Sequence, residues 1–158
     1  MVERRQLAFA GLDEVMPEVE RLLAGHTPVG GWTLAQICNH LATGIRLTLD
    51  VPVRPAEPTR EQDVARRRFF GRSQFPEGMQ APIAVLVPRA DLDAHEEARS
   101  LRHEIARFAS CAGPFPAHPL LGPLTRAEWT RFHCMHCAHH LGFVVPSPAV
   151  DQAMPAGM

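Results

Sequence analysis

The sequence predicts an all-α protein: a four-helix bundle with long connections between helices 2 and 3 and between helices 3 and 4. Apolar residues recur at helical spacing in four separate segments, and three of those segments open on a four-residue capping box. Between them lie proline-rich stretches that no long regular element survives, and no segment makes a convincing strand. With 158 residues, 46% of them hydrophobic and 21% charged, the composition suits one compact globular domain. That domain is expected to cover residues 1–146, with 147–158, which hold prolines and small residues and no periodicity, as a flexible tail.

Leu12, Val15, Met16, Val19, Leu22 and Leu23 define the inward stripe of the first helix, with Glu14, Glu18, Glu20 and Arg21 opposite. Asp13 is placed to cap it, Pro17 fits its first turn and Gly25 marks its end. His26–Trp32 reads as a loop with a solvated His26. The second helix starts at the Thr33–Gln36 box and turns Leu34, Ile37, Leu41 and Ile45 inward. His40 falls on that side, and Gly44, one turn on, leaves space beside it.

From Val51 to Arg89, six prolines break the pattern, leaving room for a short helix over Glu61–Gly71. Connections this long inside a compact domain tend to be functional, so the segment is a candidate lid or dimer contact. Its arginines, Arg60, Arg66, Arg67, Arg68 and Arg72, fit either a solvated helix face or recognition of an anionic substrate. Asp93–Glu96 opens the third helix, which buries Ala94, Ala98, Leu101, Ile105 and Phe108 and leaves His95 and His103 outside. Cys111–Leu124 is a second loop, and the Thr125–Glu128 box opens the last helix.

That last helix, predicted through Val145, carries four histidines and two cysteines. At about 100° per residue with His136 at zero, Trp129 falls near 20°, His140 near 40° and His133 near 60°, with Phe132 and His139 near −40° and −60°. Two imidazoles one turn apart converge as they do in a zinc-gripping H-E-x-x-H helix. His40, His136 and His140 therefore form a candidate three-nitrogen metal site with an open position, the catalytic form of zinc. The competing reading is three hydrogen-bonded core histidines, although three buried imidazoles without a cation are hard to satisfy. Such a metal lowers the pKa of bound water or ionises a bound thiol, either of which makes a nucleophile at neutral pH. His133, on the same stripe, is the candidate for proton transfer or for a supporting role behind the metal, with plain packing as its alternative.

Cys134, near 160°, points away, and Cys137, near 100°, is at the edge. The C-x-x-C they form sits mid-helix, away from the N-terminal dipole that favours thiolate, which argues against redox chemistry. The chain has no tyrosine, and no acidic residue falls on the histidine stripe, so proton transfer would rest on His133, His139 or a metal-bound ligand. A net charge of −1 supplies no general attraction to nucleic acid or to anionic membranes. With no membrane-spanning run, no signal-peptide pattern and four cysteines that suit a reduced compartment, the expected location is the cytoplasm.

Four stretches carry a resemblance: W-T-L-A-Q-I-C-N-H-L around His40, H-C-A-H-H-L-G-F around His136 and His140, H-P-L-x-G-x-L-T over His118–Thr125, and R-R-x-L-x-F over Arg4–Phe9. In these the chain resembles the DinB-like (YfiT-like) metalloenzyme superfamily, and within it an uncharacterised subfamily of small bacterial proteins. The resemblance implies a four-helix bundle that holds a divalent metal, zinc or nickel, on residues matching His40, His136 and His140. It also implies thiol-dependent transfer or isomerisation with a low-molecular-weight thiol, and homodimers. Many relatives carry arginine and glutamine where this chain has Leu141 and Phe143. The expected function is thus a metal-dependent, thiol-dependent transferase or hydrolase acting on a small molecule. A non-catalytic, metal-stabilised bundle serving as an interaction or stress-response module is the alternative.

Overall fold

The computed structural model describes residues 3–77 and 84–148. It is mostly helical, with five α-helices: α1 (Val15–Leu23), α2 (Leu34–Asp50), α3 (Arg60–Phe70), α4 (Ala94–Ser110) and α5 (Arg126–Leu141). The fifth is the short helix of the long connection, which runs between Thr59 and Gly71 with a capping box of its own at Thr59 and Gln62. The boxes at Thr33 and Thr125 form as the spacing predicts, hydroxyl and side chain each satisfying a free N–H. Asp93 accepts from the Glu96 N–H at 2.9 Å.

Four expectations are corrected. Two strands exist, β1 (His26–Pro28) and β2 (Val144–Pro146), paired antiparallel with Thr27 opposite Val145. At three residues each and ending in proline, they are too short to show alternation. His26 is accordingly not a solvated loop residue: it is half-buried, and its Nδ1 donates to the Leu22 carbonyl at 2.8 Å. The last helix stops at Leu141 and does not reach Val145, because the chain leaves α5 at Gly142 to enter β2. Asp13 caps nothing; Leu12–Glu14 forms a 3₁₀ turn ahead of α1 with Gly11 at its start and no side-chain cap. Of the expected tail, residues 149–158 lie outside the described residues.

The core lies between α2 and α4, which pack along most of their length, with α1 and α5 closing it. Leu22, Leu34, Ile37, Leu41, Ile45, Leu101 and Phe108 are fully enclosed there. Of the predicted α4 stripe, Ala94 and Ile105 are only half-buried, while Glu104 is buried beneath Arg46 of α2 at 3.2 Å and Arg107 at 2.8 Å. Among the described residues no helix is long and apolar enough to cross a membrane.

α5 is enclosed on both sides. Its back is covered by the N-terminal arm, where the Arg5 N–H donates to the Gly142 carbonyl at 2.8 Å and the Arg5 guanidinium caps the Val144 carbonyl at 2.7 Å. A Cβ at position 142 would lie 2.4 Å from the Arg5 carbonyl oxygen, so only glycine lets the arm cross there. Gly44 is different: its Cβ would meet His136 Cε1 at 3.8 Å, an ordinary contact. The space it leaves therefore lies beside His136 and is not required.

Thr125→Ala is expected to lower the unfolding free energy by about 1 kcal/mol through loss of the cap. Gly44→Ala is expected to raise it, by up to about 1 kcal/mol, because the helix interior loses a flexible residue without a clash. Urea unfolding of the two variants beside the parent checks both signs.

Candidate metal centre

α2 and α5 bring together His40, His136 and His140, whose ligating nitrogens all lie within 4.8 Å of one another. His136 Nε2 stands 2.9 Å from His40 Nε2 and 3.1 Å from His140 Nε2. His40 is buried, and the other two are half-buried. The last residue of a 3₁₀ turn fixes the first ring: Leu86, which ends the turn Ala84–Leu86, places its carbonyl 2.8 Å from His40 Nδ1. A carbonyl only accepts, so His40 carries its proton on Nδ1 and presents an Nε2 lone pair. Trp32 stacks on the His140 ring at 5.6 Å and holds its plane.

The proton count then decides what these nitrogens suit. His136 Nε2 holds either one proton or one lone pair, yet it faces two other nitrogens. It can donate to His40, but then His140 meets a nitrogen whose only proton is already committed. One contact in the trio is always unsatisfied unless a cation sits between the rings. Three nitrogens bound tetrahedrally to one ion at about 2.0–2.1 Å would stand about 3.3 Å apart, close to the 2.9 and 3.1 Å that separate His136 from the other two. Burial holds all three rings below the ordinary histidine range, His140 to about 3 and His136 well below; neighbouring imidazoles add to the effect at those two, whereas the Leu86 carbonyl opposes it at His40. Each is therefore neutral at physiological pH and able to act as a ligand.

The cluster opens into a cavity of about 600 Å³. Its floor includes Gly44, Thr48, Trp129 and Phe132, and its walls include Phe75, Leu86, His118 and His139. His133 is not among the lining residues. It lies buried behind the wall, under the Trp129 ring at 5.4 Å, with Nε2 3.1 Å from Thr48 Oγ1. The Thr48 hydroxyl donates to the Gly44 carbonyl at 3.2 Å, so His133 Nε2 donates to Thr48.

The cysteines stay outside the cluster. Cys134 faces a second groove, of about 540 Å³, beneath Leu7 and Phe9 of the N-terminal arm, and burial pushes its thiol up to about 11. Cys137 is enclosed, and burial pushes its thiol up as well. None of the five arginines of the long connection lines the cavity; Arg66 pairs with Asp63 at 2.9 Å.

His118, His139 and Thr48 line the cavity without having been singled out as wall residues. His139 sits about 120° round α5 from His133, so the cavity is displaced from the middle of the apolar stripe toward His139. His118 is signalled only by the H-P-L-x-G-x-L-T stretch: its backbone pairs with Gly122, where φ is 76°, a conformation suited to glycine.

A family model described as "Protein of unknown function (DUF1569)" matches residues 1–147. That family lies in the DinB/YfiT-like superfamily. No curated protein and no solved structure matches the chain.

Burial also makes the cluster's surroundings acid-sensitive. His118 is pushed down to about 4 by burial, and His133 to about 3 by burial and then His118, against 6.5 in the unfolded chain. Between those values and pH 6.5 the unfolded chain binds more protons than the folded one, so stability rises with pH across that window and falls on acidification. For chelated protein, His133→Gln is expected to flatten the dependence of unfolding free energy on pH by up to about 1.4 kcal/mol per pH unit, one proton's worth. An unchanged slope between pH 6.5 and 4 would contradict the burial-driven shift.

Proposed function

The chain belongs to the DUF1569 family, and we propose that it is a divalent-metal-dependent enzyme whose ion is held by Nε2 of His40, His136 and His140. The observation that carries this reading is the proton count at His136, whose single nitrogen faces two others within 3.1 Å. Zinc or nickel suits an all-imidazole set. When bound, such an ion supplies Lewis acidity and ionises a thiol or water in its open position. The reaction class we assign is transfer or hydrolysis on a small molecule, with a low-molecular-weight thiol as the co-substrate that the superfamily resemblance implies. The four-helix bundle and the homodimer implied by the same resemblance belong to this reading too.

The chain's own residues have separable tasks in it. The Leu86 carbonyl keeps His40 in the tautomer that leaves Nε2 free. Trp32 holds the His140 plane and, with Phe75, Trp129 and Phe132, excludes water from one side. His133 acts through Thr48 as a positioning residue: it fixes the hydroxyl that faces the cavity and does not itself reach the substrate space. His139 offers a neutral N–H at the wall. Its Nδ1 accepts from the Arg4 guanidinium at 2.8 Å, so its proton is on Nε2.

Elemental analysis of the purified protein beside His40→Ala tests the assignment. Near-stoichiometric divalent metal is expected in the parent and a large loss, on the order of tenfold or more in occupancy, in the variant, since removing one of three ligands abolishes the chelate. Equal metal in both would refute the triad.

A further inference from the structure

Among the described residues that line the cavity there is no aspartate, glutamate, lysine or arginine, so their wall carries no fixed charge. The polar side-chain groups of its wall are imidazoles, the Thr48 hydroxyl and the indole N–H groups of Trp32 and Trp129, none of them charged. His118 Nδ1 accepts from the N–H groups of Leu120 at 3.0 Å and Leu121 at 3.2 Å, so its proton is on Nε2. His139 is held in the same tautomer by Arg4, whose own charge is matched by Glu77 at 2.8 Å outside the cavity. Both rings thus offer neutral N–H donors and no counter-charge.

The mouth is apolar as well. Six large apolar side chains are exposed in the described chain, and three of them, Val51, Val87 and Leu120, at 42%, 59% and 52%, line this one cavity. Such clustering marks a ligand groove and not chance exposure. The volume, about 600 Å³, is that of a small-molecule site. A carboxylate brought inside would lose its hydration and find no cation but the ion itself, which the head group occupies.

We propose that the substrate is a neutral molecule with an apolar, ring-sized body and a single metal-seeking head, and that thiols bearing a carboxylate are excluded. This rests on the metal-centre reading above, since the ion is what would hold the head. Trp32 and Trp129 are the chain's two tryptophans and both line the cavity, so intrinsic fluorescence reports its occupancy directly.

The test compares 4-methylbenzyl thiol with 4-(mercaptomethyl)benzoate, which differ only by a methyl against a carboxylate at the far end of the ring. Each is titrated into cobalt-loaded and metal-free protein, with fluorescence read throughout and the thiolate-to-cobalt absorption band read in the loaded form. The neutral thiol is expected to bind at least roughly tenfold more tightly in both forms. Leu120→Arg, at an exposed rim position that tolerates it, is expected to narrow or reverse that ratio by strengthening the benzoate. Equal or tighter binding of the benzoate to the parent, or no binding of either thiol to the cobalt form, would overturn the proposal. Failure of cobalt to load would sink the metal centre instead, and the fluorescence preference of the metal-free protein would still decide between neutral and charged ligands.

Discussion

Three imidazole nitrogens share one point in space, and too few protons are available to satisfy them. That shortage organises the structure around it. Each ring is locked from behind: His40 by the Leu86 carbonyl and His140 by the Trp32 stack, while His136 sits between them with Phe132 and Phe75 against its ring. Rings held this way cannot rotate to find partners elsewhere, so the unsatisfied contact persists in the fold and is relieved only by a positive centre. An isolated buried polar group costs roughly 1–3 kcal/mol. The fold sustains that cost because α2 is anchored independently, along α4, through an apolar core distinct from the three clustered rings.

The two helices of the site meet at a fixed depth for reasons found far from it. α5 is held from behind by the N-terminal arm, whose Arg5 ties down the Leu141–Val144 turn while Arg4 reaches His139. The glycine after the two histidines exists for this crossing and not for the metal, since its missing side chain makes room for the Arg5 backbone. The R-R pair near the start of the chain and the H-H-L-G-F stretch near its end are therefore two halves of one contact. The β1–β2 pair then returns the chain beside α1, closing the same end of the molecule.

Much of this was legible in the residues. Capping boxes located the starts of α2 and α5, and the Asp93 half of one located that of α4, where Glu96 does not return the bond, because caps satisfy local hydrogen bonds. The trio His40, His136 and His140 followed from helical spacing plus one inward histidine on another helix. What spacing could not supply was the rotational origin of the cavity. Counting angles places His133 and His139 nearly symmetrically about His136, and nothing in α5 alone says which of them meets open space. That is decided by neighbours distant in sequence: Thr48 and Phe108 close over His133, whereas the Phe75 segment leaves His139 facing the void. The strands were missed because three residues carry no periodicity, and the Leu86 carbonyl because a backbone group has no sequence signature.

The electrostatics of the wall follow from the same ligands. A divalent ion on three neutral imidazoles would keep both positive charges, and among the described residues no carboxylate lines the cavity to offset them. In a low-dielectric pocket such an ion attracts one anionic atom at its open position far more strongly than water would allow. A second negative charge several ångströms away gains much less from the ion and still loses its hydration. An uncharged wall around a cationic centre therefore favours ligands that become charged only where they touch the metal. Thiols and water do so, because each can leave its proton behind on binding.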